Sequence, residues 1–251
     1  MSLFFDKLVN VCHELLYKDK PLFDYLKNRN INASTIRKYK LGAFPRDLRL
    51  LFDRMHPEEL VENGVVWNAY ESPFKYGEDK EIYYPIVIPI QDVDGNFVAV
   101  GCRTLLSDDE RKVLGIPKYK NTEYKKTAYL YGLNSAIEAI RKNDIVFVVE
   151  GYFDVISCHQ SGIYNVVATC GTIFSKRQLI ILSRYTNNIV LLFDNDTPGH
   201  ISADKVMKKI ESEERLSANL ICRFTPEGFK DIDEYLCHGG DLKFFSDINT
   251  I

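Results

Sequence analysis

The 251-residue chain is poor in the features that mark several large protein classes. Its six cysteines, Cys12, Cys102, Cys158, Cys170, Cys222 and Cys237, stand singly with no C-x-x-C pair. That excludes a zinc knot and fits buried thiols in a reducing compartment. No uninterrupted apolar run approaches the ~20 residues that cross a bilayer, and the amino terminus carries no signal h-region. The expectation is a cytoplasmic protein without membrane insertion. There is no G-x-x-x-x-G-K-S/T loop, which excludes an on-chain ATPase motor, and no G-x-S-x-G elbow for a serine nucleophile. Cys158 falls inside a helix pattern, and His159, His200 and His238 lack the spacing of zinc ligands. Basic surplus is missing too: the net charge is -3, and from Ile145 onward 10 basic residues face 14 acidic ones.

Those acids are placed with regularity. Glu150 follows the apolar run DIVFVV, Asp194 and Asp196 follow NNIVLLF, and Asp231 and Asp233 follow LICRF and a short turn. The order strand IVFVV, helix YFDVISCHQSG, strand NVVATC, helix SKRQLIILSRYT, strand NIVLLF, helix TPGHISADKVMKKIES, strand NLICRF, then KDIDEYL predicts β-α units. Such units build a mostly parallel sheet with right-handed crossovers. Open α/β sheets bind ligands beyond the carboxyl ends of their strands, where all these acids would lie. Repeated carboxylates there repel one another unless a cation offsets them, and an oxygen-only donor set suits Mg²⁺ or Mn²⁺ rather than zinc. Gly151 and Gly171-Thr172 occupy matching crest positions, and Gly199 serves the turn after the aspartate pair. Asp154 in the first turn of a helix and Asp231 as a cap both have purely structural readings as well.

Upstream, FFDKLVNVCHELL places Phe5, Leu8, Val9, Cys12, Leu15 and Leu16 on one helical face. Pro21 opens a second helix, Asn32 or Ser34 caps a third over ASTIRKYK, and one or two further helices end at Asn63-Gly64. Arg29, Arg37, Lys38 and Lys40 form either a solvated face or a row of phosphate contacts. Residues 65–80 read as a connector held down by Trp67, Tyr70, Phe74 and Tyr76. IYYPIVIPIQDVDGNFVAVGCRTL is a hairpin around Asp94-Gly95 whose second strand ends at Arg103. SDDERKVLGIPKYKNTEYKK reads as a polar loop. Its Lys118, Tyr119, Lys120, Asn121, Lys125 and Lys126 suit triphosphate or nucleic-acid backbone, and equally a plain solvated surface. TAYLYGLNSAIEAIRKND is a helix leading into the strand before Glu150, so this segment is expected to share a cleft with the acidic domain. The predicted fold is α+β. It has a mainly helical region over 1–80, a hairpin and basic loop over 81–144, a parallel-sheet α/β domain over 145–240 and a short tail over 241–251.

EGYFDVI, CGT, FDNDTPG and KDIDEYL together resemble the Toprim domain of primases, topoisomerases and some nucleases. YLKNRNINASTIRKYKLGAFP, PIVIPIQDVDGNFVAVGCRTL, PKYKNT and LYGL resemble, in order, the catalytic core of bacterial-type primases and their phage relatives. The resemblance runs from about Phe23 to Gly240. It implies metal-dependent synthesis of short RNA primers from NTPs on single-stranded DNA, through an RNA-DNA hybrid, in a bacterial cell or in a host cytoplasm if phage-encoded. Glu150 matches the catalytic glutamate, and Asp194, Asp196, Asp231 and Asp233 match the acids of a site for two or more Mg²⁺ or Mn²⁺ ions. Asp154 matches a supporting acid. Arg103, Lys118 and Tyr119 match positions that handle nucleotide and template, with Lys125 and Lys126 as further phosphate contacts. Arg29 matches an arginine of the amino-terminal subdomain, and Arg37 and Lys38 stand beside it as template contacts. Asn195 replaces the usual glycine between the paired aspartates, Pro198 replaces an alanine, and DKEIYYP replaces an arginine-rich approach to the hairpin. No zinc-binding or helicase-binding domain is recognised, so a replicative helicase or a separate zinc-binding priming factor is the expected partner. A Toprim-type nuclease and a non-catalytic replication factor that binds DNA or a helicase are the competing classes.

Overall fold

The computed structural model describes residues 3–77, 82–171, 173–196, 199–201, 203, 206 and 218–247. Thr172, Pro198 and most of the helix expected from TPGHISADKVMKKIES lie outside the described residues. The chain divides into two compact units, Met1–Gln91 with Gly95–Tyr124, and Asp92–Asp94 with Lys125–Ile251.

In the first unit, α1 (Leu3–Lys18) buries Phe5, Leu8, Val9, Cys12 and Leu16 along one face. α2 (Lys20–Asn28) starts on Asp19, whose carboxylate accepts Leu22 N at 3.0 Å, and α3 (Ala33–Lys38) starts on Asn32, which accepts Thr35 N at 2.9 Å. After β1 (Gly42–Ala43) come the short helices α4 (Arg49–Phe52) and α5 (Pro57–Glu62). A minor ribbon follows, β2 (Lys75–Tyr76) with β3 (Ile82–Tyr83). The expected hairpin is β4 (Ile86–Gln91) and β5 (Phe97–Arg103), and the antiparallel sheet runs β1-β4-β5-β6, with β6 at Tyr119–Asn121. Helix α1 packs so closely on β1 that a Cβ at Gly42 would lie 2.7 Å from the backbone of Cys12. One core joins α1, Leu51 of α4, Leu60 of α5, and Val87, Val100 and Cys102 of the hairpin.

Two parts of this unit differ from the sequence reading. The segment whose sequence reads as a polar loop contains α6 (Asp108–Leu114) and the edge strand β6. Ser107 and Glu110 form a reciprocal capping box, and Gly115 ends the helix at φ 65°. The local chemistry therefore supports α6 although it buries no residue. The aromatic connector is also not uniformly packed down. Phe74 is buried, but Trp67 is 51 % and Tyr70 85 % exposed.

The second unit begins at Lys125 with a 3-10 turn over Lys126–Ala128. Helix α7 (Leu133–Asn143) belongs to it rather than to the hairpin region, because Leu133, Ala136 and Ile140 enter the second core. The four strands β7 (Val146–Val149), β8 (Val166–Ala168), β9 (Asn188–Phe193) and β10 (Asn219–Phe224) are all parallel, in the order β10-β9-β7-β8. Helix α8 (Tyr152–Gln160) joins β7 to β8, and α9 (Lys176–Leu182), begun by a Ser175-Gln178 capping box, joins β8 to β9. Val146, Val148, Ile189 and Leu191 face α7 and α9. Phe147 points the other way, where its ring meets Phe245 edge-on at 5.2 Å. Phe245 lies in α11 (Lys243–Asp247), so the segment expected to be a tail contributes a buried side chain. Between β10 and α11 stands α10 (Ile232–Cys237), packed on α8.

Candidate metal and nucleotidyl-transfer site

The connection leaving β7 runs to β8 on one side of the sheet, while β10 lies on the other side of β9. The neighbouring ends of β7 and β9 thus form the switch point at which such sheets open a crevice. Glu150 follows β7 and Asp194 follows β9, and the backbone N of Asp194 donates to Glu150 Oε1 at 3.3 Å. The crest after β8 is knitted to the same place, with Thr169 N donating to Val149 O at 3.2 Å and Cys170 N to Glu150 O at 3.0 Å. Cys170 and Gly171 have φ of 54° and 82°, so this crest turns sharply, and Lys126 Nζ would lie 3.8 Å from a Cβ at Gly171.

Asp196 Oδ1 accepts Gly199 N at 2.8 Å. A Cβ at Gly199 would sit 2.1 Å from Asp194 O, so glycine alone permits that closure. Asn195, between the paired aspartates, donates its backbone N to Lys230 O at 2.8 Å and so ties this crest to the turn before α10. There Asp231 caps the helix by accepting Glu234 N at 2.8 Å, and Glu234 Oε2 accepts Lys230 N at 2.7 Å. Asp154, buried on α8, accepts Gly151 N at 2.8 Å with one oxygen and Asp233 N at 3.2 Å with the other. Asp233 is itself buried, and its Oδ1 accepts the hydroxyl of Ser157.

Crowding of like charge shows in the protonation of the group. Burial, followed by the charges of Asp154, Glu150, Asp231 and Asp196, pushes the Asp194 carboxyl up to about 8. Burial and then the charges of Asp231 and Asp233 push Asp154 up to about 7. Glu150 is raised as well, by burial first and by Asp196 among its neighbours. Such a set favours protons or a cation in its midst. Among the described residues, however, no three His, Cys, Asp or Glu side chains are gathered as a ready metal cage.

The basic candidates fall into separate groups. In the first unit Arg103 and Tyr119 are register partners on β5 and β6; Arg103 Nη1 donates to Tyr119 Oη at 2.9 Å, and Lys118 Nζ lies 5.8 Å from the same ring. In the second unit Lys126 lies beside the Cys170-Gly171 crest, and Lys125 is exposed at the start of its 3-10 turn. Arg29 ends α2, half-buried, and Arg37 and Lys38 are exposed at the end of α3. Ser157 was missed by the sequence reading. Its only signal is a polar residue one turn after Asp154 on a helix whose residues from Tyr152 to His159 are all buried.

Residues 147–236 match the Toprim-like family, and residues 11–137, just over half the chain, match the DNA primase catalytic core, N-terminal domain. The chain belongs to the DNA primase catalytic core family. The DNA primase of Synechococcus elongatus is 37 % identical to this primase core over 222 residues, covering 85 % of the chain and 31 % of that protein. The crystal structure of the zinc-binding and RNA polymerase domains of the Aquifex aeolicus primase superposes with TM-score 0.79 at 28 % identity, covering 98 % of this chain and 59 % of that one. The RNA polymerase domain of Mycobacterium tuberculosis primase DnaG, in complex with a double-stranded DNA oligomer with a 6-nucleotide overhang, gives TM-score 0.75 at 25 % identity, covering 98 % and 78 %. The primase core spans from about a third to about half of the length of curated relatives it matches. No described helix is long and apolar enough to cross a membrane.

Proposed function

We propose that this primase core carries out template-directed synthesis of short RNA primers from NTPs on single-stranded DNA. The observation that carries the reading is the convergence of Glu150, Asp194, Asp196 and Asp231 on crests at the carboxyl ends of one parallel sheet, with Asp194 N bonded to Glu150. In this reading Glu150, Asp194, Asp196, Asp231 and Asp233 hold two or more Mg²⁺ or Mn²⁺ ions, an oxygen-only donor set in which burial and neighbouring charge raise Glu150 and Asp194. Bound there, such ions supply activation of the 3′-hydroxyl and charge compensation for departing pyrophosphate. Glu150, Asp194 and Asp196 act as the catalytic carboxylates. Asp154 supports them from within α8 by bracing the turns that carry Glu150 and Asp233.

Arg103, Lys118, Tyr119, Lys125 and Lys126 bind the incoming NTP, the cations neutralising phosphate and the ring offering a stacking face. Arg29, Arg37 and Lys38 contact template backbone, leaving base pairing to read sequence. The DNA-bound mycobacterial relative supports a nucleic-acid template as substrate. The RNA-DNA hybrid is the product, and a replicative helicase or a zinc-binding priming factor is the partner suggested by the family resemblance. The test is primer synthesis on mixed-sequence single-stranded templates with Mg²⁺ or Mn²⁺. Wild type should extend, and Asp194→Asn should lose at least about a thousandfold while keeping its circular dichroism, since preorganised charge stabilisation is often the largest catalytic contribution. Undiminished synthesis by the variant rejects the assignment, and NTP-independent cleavage of the template points to a nuclease instead.

A further inference from the structure

Every residue of α8 from Tyr152 to His159 is buried, yet the helix carries Asp154 and Ser157 one turn apart toward α10. Ser157 Oγ donates to Asp233 Oδ1, while Asp154 Oδ1 accepts the backbone N of the same Asp233 at 3.2 Å. Asp233 is thus gripped at both its carboxylate and its amide by two side chains of a single helix. The grip extends to the other side of the site, because Asp154 Oδ2 also accepts Gly151 N at 2.8 Å, next to Glu150. Cys237 Sγ stands 3.7 Å from Asp233 Oδ1, a longer contact from a weaker donor. Among these contacts the serine hydroxyl is the strong donor that sets the plane of the carboxylate.

We infer that Ser157 is a positioning residue of the acidic site, acting through Asp233. The inference rests on the reading that this site holds divalent cations. A carboxylate that ligates a metal needs one lone-pair direction aimed at the ion, and a fixed donor on one oxygen restricts rotation about χ2. Removing the hydroxyl leaves the buried carboxylate short of one donor and less restricted about χ2. Outer partners of this type are worth roughly 10- to 100-fold in metal affinity. Ser157 does not touch substrate, and its contribution passes entirely through the orientation of Asp233.

The experiment measures Mn²⁺ dissociation constants by electron paramagnetic resonance, without NTP or template, for wild type, Ser157→Ala, Asp233→Asn and the double variant, with circular dichroism as a check of folding. Ser157→Ala should weaken Mn²⁺ binding at least about tenfold in the wild-type background and by less than about threefold on top of Asp233→Asn. A purely structural serine would give the same factor in both backgrounds, and that result overturns the inference. Equal Mn²⁺ affinity of wild type and Ser157→Ala overturns it as well, while leaving the metal site standing. Failure of wild type to bind Mn²⁺ rejects the metal site and the positioning role together.

Discussion

Asp194 holds its proton up to about pH 8, because it is partly buried among Asp154, Glu150, Asp231 and Asp196. An aspartate in the unfolded chain ionises near the ordinary value of 3.8. Between those two values the folded state binds a proton that the unfolded state has lost, so folding stability falls as pH rises. In chelator, the melting temperature of the wild type should therefore decline from about pH 4 to about pH 8. Asp194→Asn, which cannot ionise, should flatten that decline, and so should added Mg²⁺; differential scanning fluorimetry across this range checks both, and an unchanged slope in the variant contradicts the burial of charge described here. Glu150, Asp194 and Asp196 were legible in the sequence because each follows an apolar run that forms a buried strand, whereas Asp231 and Asp233 follow the half-exposed β10 and a turn. Ser157 was not, since a serine in a helix has many uses and its partner lies 76 residues away in the chain.

At the scale of elements, α6 is held by its ends. It buries no side chain, and Ser107 and Glu110 bond each other's backbone amides. Ser107→Ala should cost about 1 kcal/mol of local helix stability. Because no core contact is lost, hydrogen exchange over residues 107–115 should quicken while the global unfolding midpoint stays put; a fall in the midpoint would show that α6 supports the fold. The S-x-x-E pattern and Gly115 were present to be read, but the surrounding charge made a loop the easier reading. β6 was hidden for a different reason. Its three residues have no apolar alternation, and only their pairing with Gly101, Cys102 and Arg103 of β5 makes them a strand. Trp67 and Tyr70 are the converse case, aromatic side chains left exposed in a loop where the Asn68 side chain accepts Tyr70 N at 2.8 Å.

Among the described residues, one hydrophobic cluster joins α1, α4 and α5 to the antiparallel hairpin, and another packs α7 and α9 on one face of the parallel sheet that presents the acids. Leu8, fully buried in the first core, offers a way to separate them. Leu8→Ala should destabilise the fold by about 2–5 kcal/mol in denaturant titrations. At temperatures where the variant is folded its Mn²⁺ affinity should equal that of wild type, and a weakened affinity would show that the acidic site depends on the first core. The sequence by itself determined the parallel β-α succession, the hairpin, the amphipathic first helix and the placement of each acid after a strand, because these follow from local periodicity and turn chemistry. Only the tertiary structure decided which acids are buried and which oxygens are already bonded. It also decided that α8 braces Asp233 and that Lys126 reaches the crest at Gly171, since strand order and helix packing join residues that no local pattern relates.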